Sequence, residues 1–320
     1  MVTCSLAQGL AHLALERARL LEQLIGLEEE ALTRRPMPGG WTVKDLLVHI
    51  AAWDRWEHRE MERTLTEGAP DLSALETMDA FNADAVAAWR GRDLDEVLAE
   101  LQEARRDWTT WLAALPVETF CRERTFRGVD WTFPTILRVQ AQHDAEHAAQ
   151  VAAWRRQEGL WYEVWPRRGS KAVLLAALAA SREALLTAVA LVPPEERASR
   201  PVCGTWTLKD VLGHVTDWEA LCLQGLRQMA VGRPPQVEAI EDVDAWNQVH
   251  VEARRDQPWE EVWAELEAVR RALTGVLEGM DEDAMGRAFP APWDPHCTPY
   301  DWAYICLTHE REHALFDRAP

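Results

Sequence analysis

Residues 39–49 read GGWTVKDLLVH, and residues 204–214 repeat this stretch as GTWTLKDVLGH. Each copy is followed by a His-x-x-x-His pair, HDAEH at 143–147 and HEREH at 309–313. Equivalent positions of these motifs are offset by 165 or 166 residues. A constant internal period of this length indicates two tandem copies of one domain.

Both copies are predicted to be helical. A stripe of leucines at helical spacing marks the first helix, and Thr42 with Asp45 forms a capping-box pattern at the start of the next. Residues 120–133 have weak strand character. The later helices are expected near 42–66, 78–90, 94–115 and 134–157, then near 171–191, 208–231, 243–255, 259–278 and 299–318.

Four main amphipathic helices in each copy predict an all-α chain of two tandem, up-down-type four-helix bundles. The 320 residues fit two domains of ordinary size. We expect the copies at 1–160 and 170–320, joined by a linker at 161–169 that is rich in Trp, Pro and Arg.

The charge of the chain excludes some classes of partner. Formal net charge is −19, so nucleic acid and anionic lipid are not expected as partners. No apolar run is expected to approach the roughly 20 residues that span a bilayer, and residues 1–11 lack a signal-peptide pattern. The six cysteines form no C-x-x-C pair, which favours a reducing, cytoplasmic location.

The histidines predict two metal sites. Helix positions i and i+4 share a face, so each His-x-x-x-His pair can hold one ion. A third imidazole comes from the repeated Trp-Thr motif, and water would complete an open site for Zn²⁺ or Ni²⁺. The alternative is that these are core or surface histidines. The predicted ligands are His49, His143 and His147, then His214, His309 and His313.

Other repeated residues are candidates for a substrate pocket. Trp53 and Trp218 lie one helical turn after His49 and His214, where they either wall a pocket or pack in the core. Asn82 corresponds to Asn247. Such an asparagine serves as a cap, a structural hydrogen bond or a substrate contact.

Two glutamates are candidates for catalysis. Glu146 and Glu312 follow the first histidine of each pair by three residues, where they orient a ligand, transfer a proton or simply face solvent. The segment 309–313 also matches the H-E-x-x-H pattern of zinc proteases. The first copy has Asp144 in place of Glu310, which argues against a protease.

The two copies are predicted to differ in the polarity of their pockets. Gln150, a further candidate for the substrate pocket, corresponds to Phe316, and Glu57 corresponds to Cys222. The two sites would therefore bind different ligands, or only one would be active.

The repeated W-T-x-K-D-x-x-x-H motif with its H-x-x-x-H partner resembles the DinB/YfiT-like superfamily, and residues 81–82 and 246–247 look closest to its ClbS/DfsB-type branch. The resemblance implies a four-helix bundle with a three-histidine metal site at one end, held by the six histidines named above. It also implies dimerisation, so a monomer with pseudo-dimeric pairing of its two copies is expected.

The family includes S-transferases and isomerases that use a low-molecular-weight thiol, and proteins that protect against genotoxins. The resemblance therefore implies a metal-dependent enzyme acting on a small electrophile, either a thiol transferase or a detoxifying hydrolase. Its substrate would be a small molecule, with a low-molecular-weight thiol as a second cofactor in the transferase. The alternative is a non-catalytic protein that binds a metal or small molecule in stress protection.

Overall fold

The computed structural model describes residues 5–314. The chain divides into two compact units, Met1–Trp161 and Tyr162–Pro320. Each unit is built mainly of helices, with only short strands in the described residues. The predicted all-α class with two tandem copies is confirmed.

The first unit consists of eight helices and one hairpin within the described residues. Its elements are α1 (Leu6–Glu22), α2 (Glu29–Thr33), α3 (Val43–Thr66), α4 (Ser73–Glu76), α5 (Met78–Trp89), α6 (Leu94–Ala113), α7 (Val117–Phe120), β1 (Thr125–Phe126), β2 (Val129–Asp130) and α8 (Phe133–Gln157).

The second unit repeats the same four long helices. Its elements are α9 (Lys171–Val189), a 3₁₀ turn (Pro194–Glu196), β3 (Pro201–Cys203), β4 (Trp206–Thr207), α10 (Leu208–Ala230), α11 (Val243–Ala253), α12 (Trp259–Glu278), α13 (Glu282–Met285), β5 (Phe289–Ala291), β6 (Asp294–Cys297) and α14 (Pro299–His313). The predicted end of the last helix, near 318, lies outside the described residues.

Short antiparallel hairpins precede three of the long helices. Strands β1 and β2 pair just before α8, β3 and β4 before α10, and β5 and β6 before α14. The first matches the predicted strand character of 120–133, whereas the other two were not predicted. Strands of two to four residues are too short to leave a clear alternating pattern in a sequence.

Side-chain caps determine where the histidine-bearing helices begin. Thr42 accepts a hydrogen bond from the backbone N–H of Asp45, and the Asp45 carboxylate accepts one from the backbone N–H of Thr42. The same reciprocal box starts α10 at Thr207 and Asp210. These boxes set the first turn of each helix, and hence the direction in which the histidine seven residues later points.

Packing brings the histidine-bearing helices together inside each bundle. In the first unit α3 packs against α6 and α8, and α1 packs against α8 and α6. In the second unit α10 packs against α12 and α14, and α9 packs against α14 and α12. Because α3 is adjacent to α8, and α10 to α14, each isolated histidine faces the His-x-x-x-His pair of its own unit.

All three lysines of the chain bind backbone carbonyl oxygens. Lys44 donates to the carbonyls of Arg90 and Arg92, in the short connection between α5 and α6. Lys209 donates to carbonyls of residues 254, 255 and 257 at the equivalent place in the second unit. Lys171 donates to the carbonyls of residue 278, the last of α12, and of residue 280 just beyond it. Carbonyls at a helix end lack intrahelical partners, and the ammonium groups supply them.

The helix α9 is long and apolar enough to cross a membrane, judged by length and composition alone. The expectation that no apolar stretch reaches such a length is therefore wrong for α9. More than half of its most apolar window is buried inside the structure, where α9 packs against α14. A core helix passes the same test, so this feature is weak evidence for a membrane span.

Cysteines in the described residues are of two kinds. Cys203, Cys222, Cys297 and Cys306 are free thiols, and only Cys203 is exposed. Cys121 is disulfide-bonded. That bond departs from the pattern of scattered free thiols on which the cytoplasmic expectation was based.

Candidate metal centre

The first copy brings His49, His143 and His147 into one cluster. The Nε2 atom of His143 lies 2.9 Å from Nε2 of His49 and 2.9 Å from Nε2 of His147. His49 comes from α3 and the pair comes from α8, so the cluster joins two helices. All three residues are buried or nearly buried, and each offers one ring nitrogen to the cluster.

The second copy repeats the cluster. Nε2 of His309 lies 2.9 Å from Nε2 of His214 and 3.1 Å from Nε2 of His313. Helices α10 and α14 supply these residues, as α3 and α8 do in the first copy. The isolated histidine also packs against the tryptophan of its motif, with ring centroids 5.2 Å apart for Trp41 and His49, and 5.0 Å apart for Trp206 and His214.

Asn82 determines the tautomer of His49. Its Oδ1 atom lies 2.9 Å from Nε1 of Trp53 and 3.0 Å from Nδ1 of His49. The indole N–H can only donate, so the Asn82 atom that it faces is the oxygen. Nδ1 of His49 must then carry a proton to reach the same oxygen, which leaves the Nε2 lone pair of neutral His49 directed into the cluster.

The second copy lacks this restraint. Asn247 Oδ1 accepts a hydrogen bond from Nε1 of Trp218 at 3.0 Å. The buried Nδ1 atom of His214, however, has no hydrogen-bond partner within residues 5–314. The two asparagines are therefore equivalent in sequence and in their tryptophan contact, but only Asn82 orients a histidine.

Gln150 supports the second histidine of the first pair. Its Oε1 atom lies 2.9 Å from Nδ1 of His147, so the proton of His147 is placed on Nδ1 and Nε2 is free for the cluster. Gln150 thus orients a candidate ligand, a role that was not predicted for it. The corresponding Phe316 lies outside the described residues.

Burial keeps the six imidazoles neutral. Burial and the neighbouring imidazoles lower the pKa of His49 and of His214 to about 3. The same causes lower the pKa of His143 to about 3, and burial also lowers the pKa of His147. In the second pair the pKa values fall to about 4. A neutral imidazole is the form that binds a metal.

A divalent cation fits the separations that join His143 to its two neighbours, and His309 to its two neighbours. An ion about 2.0–2.1 Å from each nitrogen requires nitrogen separations of about 2.9–3.4 Å, depending on the angle at the metal. The observed 2.9 Å and 3.1 Å fall in this range. In the first copy His49 and His147 both direct lone pairs at His143, which can donate only one proton. At least one of the two contacts therefore brings two nitrogen lone pairs face to face, where they repel each other. A cation between the two nitrogens removes this repulsion.

The two tryptophans predicted for a pocket occupy equivalent places beside the clusters. Trp53 is buried and packs against Phe81 and Trp56, with centroids 4.8 Å and 5.2 Å away. Trp218 is half-buried, and its ring centroid is 5.9 Å from that of His309. Both indoles therefore hold an asparagine near the cluster, and Trp218 also lies on the wall of a cavity.

Glu146 and Glu312 both lie on exposed faces of their helices. Both side chains are exposed, and Glu146 accepts a hydrogen bond from Gln142 at 3.1 Å on the outer face of α8. Of the alternatives considered, the solvated helix face matches the structure.

A buried quartet of charges lies beside each cluster and was not predicted. In the first copy Arg17 and Arg105 both contact the carboxylates of Asp54 and Asp144. Burial alone would raise the pKa of Asp54, but the two guanidinium groups reverse that effect and lower it. The quartet joins all four long helices, α1, α3, α6 and α8.

The second copy has the same quartet at the same offset. Arg182 and Arg270 pair with Glu219 and Glu310, and each arginine also donates to a backbone carbonyl, as its counterpart does in the first copy. The repeated arginine and acid positions were the signal that could have revealed it. Because Glu310 is fully buried in these ion pairs, it is not the general base of an H-E-x-x-H protease.

A cavity of about 310 Å³ opens beside the second cluster. His214 and His309 lie on one part of its wall, with the predicted pocket residues Trp218 and Asn247. The rest of the wall includes Cys222 and Cys306, two cysteines that the first copy lacks. The second cluster therefore has adjacent space for a small molecule.

Comparisons with known proteins agree with this architecture. The sequence profile of the DinB superfamily matches residues 12–151 and again residues 177–316. The chain therefore belongs to the DinB superfamily and contains two tandem copies of its domain. Over 137 residues, 42% of this chain and 75% of the relative, it is 26% identical to a Geobacillus thermodenitrificans (strain NG80-2) protein named "Putative metal-dependent hydrolase". No solved structure gives a significant match.

The two asparagines provide a matched test of ligand orientation. We expect Asn82→Ala to lower the metal affinity of the first site by about 10–100-fold, because His49 loses the acceptor that holds its tautomer. Asn247→Ala should lower the affinity of the second site much less, since His214 does not contact Asn247 through Nδ1. Competition with a coloured chelator measures both affinities. Equal losses at the two sites would contradict the proposed difference.

The lowered histidine pKa values predict a pH dependence of stability in metal-free protein. Unfolded histidines titrate near pH 6.5, so between that pH and about 3 the unfolded chain binds more protons than the folded chain. Stability contributed by the neutral clusters is therefore present above about pH 6.5 and is lost as the pH falls. Urea midpoints at several pH values measure this. In a His143→Gln/His147→Gln variant the urea midpoint should fall less between pH 7 and 4 than in the wild-type protein. An identical fall in both proteins would contradict the prediction.

Proposed function

We propose that the protein is a metal-dependent enzyme that acts on a small electrophilic molecule. The main support is the duplicated cluster of three neutral, buried or half-buried imidazoles, in which nitrogen separations of 2.9–3.1 Å match the ligand spacing of a divalent cation. Zn²⁺ and Ni²⁺ both suit three imidazole ligands. The name of the Geobacillus relative adds support for hydrolysis as the reaction.

Three protein ligands leave a coordination position open, which is the arrangement of catalytic rather than structural sites. A bound divalent cation would lower the pKa of water or of a thiol at that position. Hydrolysis and thiol transfer differ only in which of the two nucleophiles is used. The chain contributes the positioning, because Asn82 and Gln150 hold His49 and His147 with their Nε2 atoms facing the cluster.

The electrostatics of the bundle suit such a centre. Each buried quartet contains two arginines and two carboxylates, so its formal charges cancel. It therefore fixes the relative positions of the helices without placing a net charge next to the cation. Asp144 and Glu310 directly follow His143 and His309 in sequence, so the quartets anchor the same helical turns that carry the candidate ligands.

Metal analysis combined with an activity screen tests the proposal. Protein made without an affinity tag would be analysed for bound elements, stripped with a chelator and reloaded with Zn²⁺ or Ni²⁺. Small esters, lactones, amides and epoxides would be offered with water alone and with a low-molecular-weight thiol. We expect turnover that disappears on stripping and returns on reloading. Tight metal binding with no turnover of any of these classes would favour the non-catalytic alternative.

A further inference from the structure

The two copies differ in chemistry at a pair of buried positions near the clusters. Cys222 on α10 and Cys306 on α14 occupy the places that Glu57 and Gln140 hold in the first copy. Both cysteines are buried, and both line the cavity of the second copy. We call Cys222 and Cys306 the thiol pair.

The cavity wall carries no free charge among the residues described. The thiol pair adjoins Trp218 and Ile305, which are apolar. Glu219 is the one carboxylate on the wall, and it is held by Arg182 and Arg270. The neighbouring Cys222 thiol and burial both raise the pKa of Cys306 further above neutral pH, so its thiol stays uncharged. A thiol is a weak donor and acceptor, so most of this wall offers an incoming polar group little compensation for lost water.

The size of the cavity limits what can occupy it. An apolar cavity of about 150 Å³ holds a benzene molecule. The volume of about 310 Å³ therefore accommodates one ring with a few further atoms. It also lies at the lower end of the range found for small-molecule sites, about 300–1,000 Å³.

The first copy has a polar pair at the equivalent positions. Gln140 is buried and donates a hydrogen bond to Asp54 at 2.9 Å. Glu57 is also buried, and its Oε2 atom has no hydrogen-bond partner in the part of the chain that the structure describes. Burial, with Asp54 and Glu60 nearby, raises the pKa of Glu57 well above its usual range, so the group is a neutral acid that can donate a hydrogen bond.

We propose that the cavity of the second copy binds a small uncharged molecule with an apolar body of about one ring and a polar end directed towards His214 and His309. The thiol pair gives the second copy its preference for an uncharged, largely apolar ligand. The polar pair of Glu57 and Gln140 gives the first copy a different ligand preference. The inference rests on the proposed function, because the polar end is the part of the molecule that would react at the second cluster.

Exchanging the two pairs tests the inference. The probe is 4-fluorobenzyl alcohol, an uncharged single ring with a polar end, and its binding is followed by fluorine NMR. The variant Cys222→Glu/Cys306→Gln gives the second copy the pair of the first. We expect it to weaken probe binding by at least about tenfold, which corresponds to about 1.4 kcal/mol. Cys222→Leu fills part of the cavity without adding charge and should weaken probe binding similarly. It replaces the double variant as the test if the double variant does not fold.

Two control variants accompany the exchange. Cys203→Ser removes an exposed thiol away from the cavity and should leave the probe affinity unchanged. Glu57→Cys/Gln140→Cys places a thiol pair in the first copy and should leave binding at the second copy unchanged. No binding to the wild-type protein, or equal binding to folded Cys222→Leu protein, would overturn the inference.

Metal content measured on the same samples separates this inference from the proposed function. If each folded variant keeps its bound cations and also keeps the probe affinity of the wild type, the inference fails and the proposed function stands. If the wild-type protein binds the probe but neither cluster binds a divalent cation, the proposed function fails while the apolar ligand site remains.

Discussion

Replacing His143 and His147 by alanine should lower the divalent metal bound per chain from about two ions to about one. The variant keeps His49 as the single imidazole of the first cluster, and one neutral nitrogen does not hold a cation tightly. The second cluster, which lies on α10 and α14 of the other unit, keeps all three of its nitrogens. Elemental analysis of tag-free protein after dialysis measures the loss directly.

The duplicated chain supplies the matched control for this experiment. His309→Ala/His313→Ala should remove the other ion, and the variant with all four substitutions should retain none at stoichiometric level. Circular dichroism would verify that each variant keeps its helices. If both double variants keep the metal content of the wild-type protein, the histidine clusters are not the metal sites. The short distances between their ring nitrogens would then have another cause.

Breaking a buried quartet should cause the largest loss of stability from a single substitution in the first unit. Arg105→Ala leaves the carboxylates of Asp54 and Asp144 buried with only Arg17 to compensate them. Removing one partner of such a network costs about 3–5 kcal/mol, because the remaining charges lose their compensation. The equivalent Arg270→Ala should have a similar effect in the second unit. Urea unfolding monitored by circular dichroism measures both losses.

Arg55 provides the control for the quartet. It pairs with Glu100 at 2.8 Å and with Asp107, but its side chain is 35% exposed, so water screens these charges more than those of the quartet. Arg55→Ala should therefore lower the free energy of unfolding by less than about 1 kcal/mol. If the Arg55 and Arg105 substitutions cost the same, burial is not what makes the quartet important. An Arg105→Lys variant should regain little of the stability that Arg105→Ala loses, since an ammonium cannot reproduce the forked contacts of a guanidinium.

The fold could be predicted from the sequence because the signals were local and repeated. Helical periodicity and the Thr42–Asp45 box are read from neighbouring residues, and the structure confirms the helices that they predict. The histidines could be grouped because the i,i+4 pair fixes a face and the second copy repeats it. The chain repeat thus supplied a comparison within a single sequence.

The parts that were missed depend on contacts between distant residues. Whether Asn82 binds a histidine, a tryptophan or substrate is decided by the packing of α5 against α3, and its counterpart Asn247 makes only one of the two contacts. The quartet joins residues up to 127 positions apart. Glu146 has the same helical spacing whether it faces the cluster or solvent, so spacing alone could not decide between the interpretations that were considered.

The use of every lysine to bind carbonyl oxygens has a practical consequence for chemical labelling. Amine-directed reagents and crosslinkers can react with Lys44, Lys171 or Lys209 only when the ammonium leaves its carbonyls and loses a proton. The rate of acylation at each lysine therefore reports how often its ammonium leaves the carbonyls of a helix end, one end in the first unit and two in the second. With arginine carrying the rest of the positive charge, these three amines report on the contacts at three helix ends, and no label has to be engineered into the chain.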